Sequence, residues 1–222
     1  RVQDNGSGMS QEDAVLCFRR HSTSKIAVEA DLEAISTLGF RGEALASIAS
    51  VAHVSLLTRT REEQAGTYIR MVEGREVERS LRGTPVGTLV TVEHLFANVP
   101  ARLKFLKQPA TEAAHIQQVV TRYALAYPER RFSLVSDGRL VFQSTGSGQL
   151  HDVLVKVYGL DVARQMVEVG AATHAEATDE AAPETDKRMD EPQTSVVLPV
   201  VTGYTSLPAL HRGNRGYITL FI

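Results

Sequence analysis

The sequence has no tryptophan, one cysteine and no long apolar run. Cys17 is the single cysteine among 222 residues, which excludes an internal disulfide framework and is typical of a reducing compartment. No apolar stretch approaches the roughly 20 residues of a membrane-spanning helix. No signal-peptide pattern is visible at the start, and no cysteine–histidine cluster has zinc-site spacing. We therefore expect neither a disulfide-stapled, a membrane-spanning nor a zinc-finger protein, and we interpret Cys17 as a small apolar core side chain.

What the chain does contain is apolar and charged residues in the proportions of a globular protein. Hydrophobic residues make up 43% of the sequence, which is enough for a sizeable core in one large or two modest domains. The formal net charge is −2, but residues 171–193 hold seven acidic and two basic residues, so the remainder carries +3. That remainder is compatible with a local DNA-contacting groove without proving one. We expect the acidic tract to be a disordered loop, with a docking site as the less favoured alternative.

Two glycine-rich turns, Asp4–Met9 and Gly39–Leu45, stand out, with the polar segment 19–25 between them. Each turn precedes a predicted helix. Glycine lets backbone N–H groups approach a ligand, and the free N–H groups of a first helical turn favour an anion. The Asp4 carboxylate could accept a hydrogen bond from an adenine amino group. Together these features predict a nucleotide pocket, although either turn alone is more typical of a plain structural turn.

The order and spacing of these motifs resemble the MutL family of DNA mismatch repair proteins. The strings Asp-Asn-Gly-Ser-Gly-Met from Asp4, Thr-Ser-Lys from Thr23 and Gly-Phe-Arg-Gly-Glu-Ala-Leu from Gly39 carry the resemblance, together with residues 95–106. The family belongs to the GHKL ATPases, with DNA gyrase B, Hsp90 and the histidine kinases. The resemblance covers essentially the whole chain. It implies an α+β fold: a Bergerat-type (GHKL) ATP-binding α/β sandwich over residues 1–146, lacking its N-terminal part, and a C-terminally truncated ribosomal-S5-like domain over 147–222.

The resemblance also implies a set of nucleotide-binding residues. Asp4 recognises adenine, and Thr88 assists it through water. The full set is Asp4, Gly6, Gly8, Ser22, Thr23, Ser24, Lys25, Gly39, Phe40, Arg41, Gly42, Glu43, Ala44, Leu45 and Thr88.

Each of these residues also has a purely structural interpretation. Asp4 could cap an Asx-turn, Lys25 could be an exposed solubilising residue, and residues 22–24 could merely cap the next helix. For Arg41, phosphate binding and a structural ion pair are equally favoured. For Glu43, we favour stabilisation of a helix N-terminus over a role as general base.

The implied cofactors are ATP and Mg²⁺, but the implied catalytic groups lie outside the sequence. The family's general base, a glutamate, and its Mg²⁺-binding asparagine are expected on a helix before Arg1. Its second-domain lysine is expected beyond Ile222. No catalytic residue and no metal ligand is therefore assigned within the chain. We expect ATP hydrolysis in the intact protein and little or none from this chain alone.

For DNA, we assign Arg212 and Arg215, which would bind phosphates without reading base sequence. The basic residues Arg102, Lys104 and Lys107 are more typical of a solvated face. The resemblance further implies self-association of the N-terminal region on ATP binding, a MutS-like mismatch sensor, and a downstream endonuclease or helicase. It also implies a cytoplasmic, nucleoid-associated protein in a bacterium. Two alternatives are another GHKL ATPase, of topoisomerase or chaperone type, and a non-hydrolysing DNA-binding scaffold.

Local patterns predict mixed helices and hairpin-connected strands, the arrangement of an α+β protein. Ser10 and Asp13 have capping-box spacing, Asp137-Gly138 is a strong hairpin signal, and 144–148 is the best linker candidate. Helices are predicted over residues 10–18, 42–52, 100–106, 111–127 and 150–158. Strands are predicted over residues 1–3, 54–58, 67–72, 77–81, 89–93, 132–136, 139–143, 166–169, 196–202 and 217–222.

Overall fold

The structure, a computed structural model, describes residues 1–20, 22, 38–39, 42–170, 200–211, 213 and 218–221. Contacts divide the chain into two compact units, Arg1–Leu106 and Lys107–Ile222. The division into family domains at 146/147 stays a prediction. The acidic tract of residues 171–193 lies outside the described residues. In the part of the chain that is described, no helix is long and apolar enough to cross a membrane.

Within its described residues, the first unit contains a five-stranded sheet and three helices. Every neighbouring pair of strands is antiparallel, and the order across the sheet is β1-β5-β2-β3-β4. The strands are β1 (Val2–Asp4), β2 (His53–Arg59), β3 (Gly66–Val72), β4 (Arg75–Arg82) and β5 (Gly87–Glu93), and the helices are α1 (Gln11–Leu16), α2 (Ala44–Ala49) and α3 (Pro100–Leu103).

The core of this unit lies between one face of the sheet and the first two helices. Along β2, side chains alternate between half-buried and buried, so that Val54 and Leu56 point inward. They pack with Ile69 of β3 and with two small helical residues, Ala14 and Ala49. Small residues allow helix backbones to lie close to the sheet. Both helices are therefore held on the same face, which is the face that carries the candidate site.

The beginning of α1 is capped as the sequence predicts, and a second cap comes from far along the chain. The Ser10 hydroxyl accepts the Asp13 N–H at 3.1 Å. The Glu63 carboxylate accepts the Gln11 N–H at 2.9 Å and the Thr60 N–H at 3.1 Å. These hydrogen bonds hold the pKa of Glu63 below its ordinary value of 4.5, the bond from Thr60 being the largest cause. The 60–63 turn is thereby tied to the start of α1.

The second unit has its own core. Helix α4 (Pro109–Ala126) is followed by β6 (Ser133–Ser136), β7 (Arg139–Gln143), α5 (Leu150–Tyr158), α6 (Leu160–Ala163), β8 (Met166–Val169) and β9 (Gly203–Ser206). The core joins Ala124, Phe142, Val153 and Ala163. The β6–β7 hairpin turns at Asp137 and Gly138, whose φ values of 49° and 74° are those of the predicted tight turn.

Two predicted strands differ from the structure. The strand predicted over 196–202 lies outside the described residues up to 199, and residues 200–202 are not in a strand. Instead β9, Gly203–Ser206, pairs with the four residues of β8. Likewise residues 218–221 of the strand predicted over 217–222 are not in a strand. A strand exists only where a partner satisfies its backbone groups, and apolar content does not show where that partner lies.

The helix predictions need two corrections. Helix α3 ends at Leu103 rather than near Leu106. Residues 104–105 form a turn, and Gln108, the residue before Pro109, is disfavoured in helical conformation, so the helix does not continue into α4. In α4 the predicted apolar stripe is only partly buried. Ile116 and Val119 are 54% and 52% exposed, whereas Ala124 is fully buried. The buried face of α4 is thus narrower than its stripe of apolar residues.

Candidate nucleotide-binding site

Three adjacent strands bring Asp4, Thr88 and Thr58 into one line across the sheet. Asp4 of β1 is paired with Thr88 of β5, and Thr88 is paired with Thr58 of β2. Directly paired residues of antiparallel strands have their side chains on the same face. Because Thr58 follows Val54 and Leu56 in the inward alternation of β2, this face is the one covered by α1 and α2. We call these three residues the acceptor row.

The Asp4 carboxylate is anchored through one oxygen. Its Oδ1 accepts the Gly6 N–H at 2.9 Å and the Thr88 N–H at 3.2 Å. No hydrogen bond within the described residues reaches Oδ2, and the residue is exposed. The Asx-turn interpretation and the ligand interpretation of Asp4 are therefore compatible. One oxygen holds the turn and the other is available to a donor.

Thr58 is a residue of the candidate site that sequence reasoning missed. It is 0% exposed. Its hydroxyl accepts the Met9 N–H at 2.9 Å, donates to the Gly87 carbonyl at 3.1 Å and lies 3.1 Å from the Thr88 hydroxyl. The available signal was the alternation of β2, which places a threonine where the pattern calls for an apolar residue. Its partners are far away in sequence and could not be read from it.

Two glycines let the first turn lie against neighbouring backbone. Gly8 has φ +74°, and a Cβ there would lie 2.0 Å from the Arg59 carbonyl oxygen. Gly87 has φ +124°, and a Cβ there would lie 2.3 Å from the Asp4 carbonyl oxygen. Both positions combine a left-handed conformation with a contact closer than any side chain tolerates. At Gly6, by contrast, the nearest atom is Asp4 Oδ1 at 3.1 Å.

The second glycine turn is described at Ser22, at 38–39 and from Gly42 onward. Gly42 has φ +61°, and a Cβ there would lie 2.1 Å from the Ser22 carbonyl oxygen. The predicted phosphate cradle thus contains a close contact between the backbones of Gly42 and Ser22. Glu43 is the N-cap residue of α2, which begins at Ala44 rather than at 42, and Leu45 is half-buried.

Several predicted site residues lie outside the described residues. In the nucleotide set these are Thr23, Ser24, Lys25, Phe40 and Arg41, and in the DNA set they are Arg212 and Arg215. All of these assignments stay predictions. The described part of the site comprises the acceptor row, the first turn, the contact between Ser22 and Gly42, and the start of α2.

The chemistry of the described residues fits an adenine nucleotide. The Asp4 carboxylate offers an acceptor for the exocyclic amino group. The described residues offer less to a metal, because no group of three or more His, Cys, Asp or Glu residues in the described part could hold an ion. Burial raises the pKa of the Cys17 thiol to about 12, with the nearby Asp13 charge as a second cause, and this disfavours its thiolate form.

Curated proteins with similar sequences cover the whole chain. The DNA mismatch repair protein MutL of Streptococcus thermophilus is 44% identical over 223 aligned residues, which cover all of this chain and 31% of that protein. MutL of Streptococcus mutans is 42% identical over 222 residues, with the same coverage. The chain thus spans about a third of the length of these curated relatives. A scan against protein-family models found no match.

Solved structures give the same result for the fold. The Aquifex aeolicus MutL ATPase domain complexed with ADP aligns with a TM-score of 0.56 at 33% identity, covering 71% of this chain and 55% of that one. The N-terminal domain of a DNA repair protein aligns with a TM-score of 0.60 at 25% identity, covering 75% and 49%.

The antiparallel sheet with helices packed on one face gives the chain a fold shared with these solved structures, which include a MutL ATPase domain of the GHKL type. The predicted fold class is confirmed. With more than 40% identity to curated relatives along its whole length, the chain belongs to the MutL family of DNA mismatch repair proteins.

Proposed function

We propose that this chain carries the adenine-binding and phosphate-binding parts of an ATP site in a DNA mismatch repair protein. The observation that carries the proposal is the acceptor row, in which a carboxylate held by two N–H groups leaves its second oxygen for a donor. The ADP complex of the Aquifex aeolicus relative supports it. ATP hydrolysis belongs to the intact protein, and its reaction needs positioning and electrostatic stabilisation of an in-line attack by water.

In this proposal Asp4 Oδ2 accepts the adenine amino group, with Thr88 beside it. The phosphates lie at the second glycine turn, near the backbone N–H groups of Gly39, Gly42 and the start of α2. Glycine there permits the backbone to come close to phosphate oxygens. Ser22, whose backbone touches Gly42, lies at the same place. Mg²⁺ would neutralise phosphate charge when bound, and we assign no residue of this chain to it.

The deciding experiment is a calorimetric titration of ADP and ATP into the Asp4→Asn variant. The asparagine Oδ1 can still accept from Gly6 and Thr88, so the turn is preserved. Its Nδ2, however, would present a donor to the donor of the base. Losing a charge-assisted hydrogen bond costs roughly 1.5–3 kcal/mol, or about 10- to 150-fold in affinity.

Asp137→Asn is the matched control for this substitution. It makes the same chemical change at the exposed turn of another hairpin, where φ is 49° and asparagine is well accommodated. We expect unchanged nucleotide affinity in the control and unchanged circular dichroism in both variants. A folded Asp4→Asn variant with wild-type affinity would contradict the proposed site.

We further propose that nucleotide binding controls self-association in the intact protein, as the family resemblance implies. ATP would join two N-terminal regions, and the dimer would act as a switch between a MutS-like mismatch sensor and a downstream endonuclease or helicase. Non-specific DNA binding would involve Arg212 and Arg215, in a cytoplasmic and nucleoid-associated protein. Light scattering of the intact protein with and without a non-hydrolysable ATP analogue tests the switch, since an unchanged mass would contradict it.

A further inference from the structure

The geometry points to Thr58 as a positioning residue that makes the Thr88 hydroxyl a hydrogen-bond acceptor, so that the site selects a base with an amino group at its six-position. This inference rests on the proposed nucleotide function and deepens it. Thr58 itself is fully buried and would not touch the base. Its effect passes through the hydroxyl of its neighbour on β5.

The donor and acceptor capacity of the Thr58 hydroxyl determines the direction of its hydrogen bond with Thr88. A threonine hydroxyl has one donor hydrogen and two acceptor lone pairs. At Thr58 one lone pair accepts the Met9 N–H, and the hydrogen points to the Gly87 carbonyl. Only one lone pair is left for the Thr88 hydroxyl, 3.1 Å away. The contact is satisfied when Thr88 donates.

The alternative direction gives up one hydrogen bond. If Thr58 donated to Thr88, its single hydrogen would be withdrawn from the Gly87 carbonyl. Thr58 lies in a dry position, where an unmade hydrogen bond is costly. The fully satisfied arrangement is therefore favoured. In it the Thr88 hydrogen is used internally, and its oxygen offers only lone pairs outward.

The outward face of the row is consequently composed of acceptors. Asp4 Oδ2 is an ionised carboxylate oxygen, and Thr88 Oγ1 is an oxygen whose hydrogen points away. Adenine has an amino donor at its six-position, whereas guanine and hypoxanthine have a carbonyl acceptor there. At the six-position, a keto base would place acceptor against acceptor and leave the groups that face it unpaired.

Burial and strand register make this arrangement rigid. Thr58 is β-branched, so its χ1 angle has few alternatives, and it is enclosed with no exposed surface. Its pairings with Thr88 on one side and with Thr67 on the other are set by the sheet. Thr67 is an internal contrast, because it is 1% exposed and its hydroxyl has no hydrogen-bond partner among the described residues.

The test compares ATP with inosine triphosphate, which carries a keto group in place of the six-amino group. Dissociation constants for both nucleotides are measured by calorimetry on the chain and on Thr58→Val, which keeps side-chain shape and removes the hydroxyl. The Thr88 hydrogen is then free to turn outward and donate to a keto oxygen. We expect the preference for ATP, measured as the ratio of the inosine triphosphate and ATP dissociation constants, to fall roughly 3- to 10-fold, which corresponds to one hydrogen bond. General loosening of the turn would affect both nucleotides and cancel in the ratio.

Two variants are matched to this change. Thr58→Ser restores the hydroxyl, and we expect it to restore the preference. Thr67→Val makes the same substitution one strand away, at a buried hydroxyl with no partner, and we expect it to leave the preference unchanged. If Thr58→Val does not fold, Thr88→Val provides the same test, because it removes the acceptor from a half-buried position and should lower the preference as well.

The outcomes separate this inference from the function on which it rests. A chain that prefers ATP, with an unchanged preference in folded Thr58→Val or folded Thr88→Val, overturns the role of Thr58 and leaves the ATP site intact. A wild-type chain that binds neither nucleotide overturns the proposed function and this inference together. An equal reduction of the preference for ATP in Thr67→Val and in Thr58→Val also overturns the role of Thr58, because the effect would then come from the packing of the core rather than from the Thr58 hydroxyl.

Discussion

The two glycine turns of the site are held in different ways. The first turn is held by residues of three strands. The Asp4 and Thr58 side chains accept the Gly6 and Met9 N–H groups, and the backbone N–H of Thr88 donates to the Asp4 carboxylate. The second is described through a backbone contact, Gly42 against Ser22, at the start of a six-residue helix. Recognition of a base needs fixed donors and acceptors, which a sheet provides through its register. Recognition of phosphate needs backbone close to the ligand, which glycine provides.

The largest expected effect is on stability and concerns the close packing of the first turn. Gly8→Ala should destabilise the first unit by about 3 kcal/mol or more, because it adds a clash with the Arg59 backbone to a strained φ. Gly138→Ala is the matched control, with the same φ of +74° and no atom within 4 Å of the new Cβ. It should cost about 1–2 kcal/mol. Urea unfolding measures both. Equal losses would show that Gly8 is needed for its conformation only, and that the turn is not tightly packed.

A smaller effect, on ligand affinity, is expected at the second turn. Gly42→Val should weaken nucleotide binding at least about tenfold, or ~1.4 kcal/mol, while leaving the fold largely intact. The valine would push against the Ser22 backbone and displace the N–H groups proposed for phosphate, whereas the core contacts of Ala49 are untouched.

Calorimetry with a non-hydrolysable ATP analogue, alongside circular dichroism, measures the effect of Gly42→Val. Unchanged affinity in a folded variant would place the phosphates elsewhere. Because Gly42 has φ +61°, Gly42→Ala adds the strained backbone with a smaller side chain, and we expect an intermediate affinity.

The smallest expected effect concerns the cap that joins the 60–63 turn to α1. Glu63→Gln should lower the unfolding free energy at pH 7 by about 0.5 kcal/mol, a small figure because the carboxylate is largely exposed. The folded-state pKa of Glu63 is lowered. Its contribution is therefore present above the unfolded value of 4.5 and is lost as pH falls through the folded value.

Urea unfolding at pH 7 and at pH 3 gives the sign of this effect. The difference between Glu63→Gln and the wild type should shrink at the lower pH. Glu62→Gln, at the exposed neighbouring position, is the control and should show little difference at either pH. A difference that grows on acidification would contradict the assigned direction.

Much of the local structure could be predicted from the sequence. The Ser10 cap, the Asp137-Gly138 turn, helix α5 and strand β8 lie where the local patterns place them. Capping, tight turns and short apolar periods depend on residues a few positions apart. The family motifs, likewise contiguous strings, were sufficient to indicate the fold, whereas the nucleotide-binding set that they imply stays a prediction.

Tertiary structure alone decided which residues the site uses and why. The Thr88 N–H and the Asp4 carboxylate are separated by 84 positions in the chain and 3.2 Å in space, and Thr58 meets Thr88 through strand pairing that no local pattern encodes. Glycine is required at position 8 because the Arg59 backbone lies against it. Ile116 is exposed because no neighbouring element packs on that part of α4 in the described residues. A sequence specifies the preferences of each segment, whereas hydrogen-bond partners and buried faces exist only once the segments have been brought together.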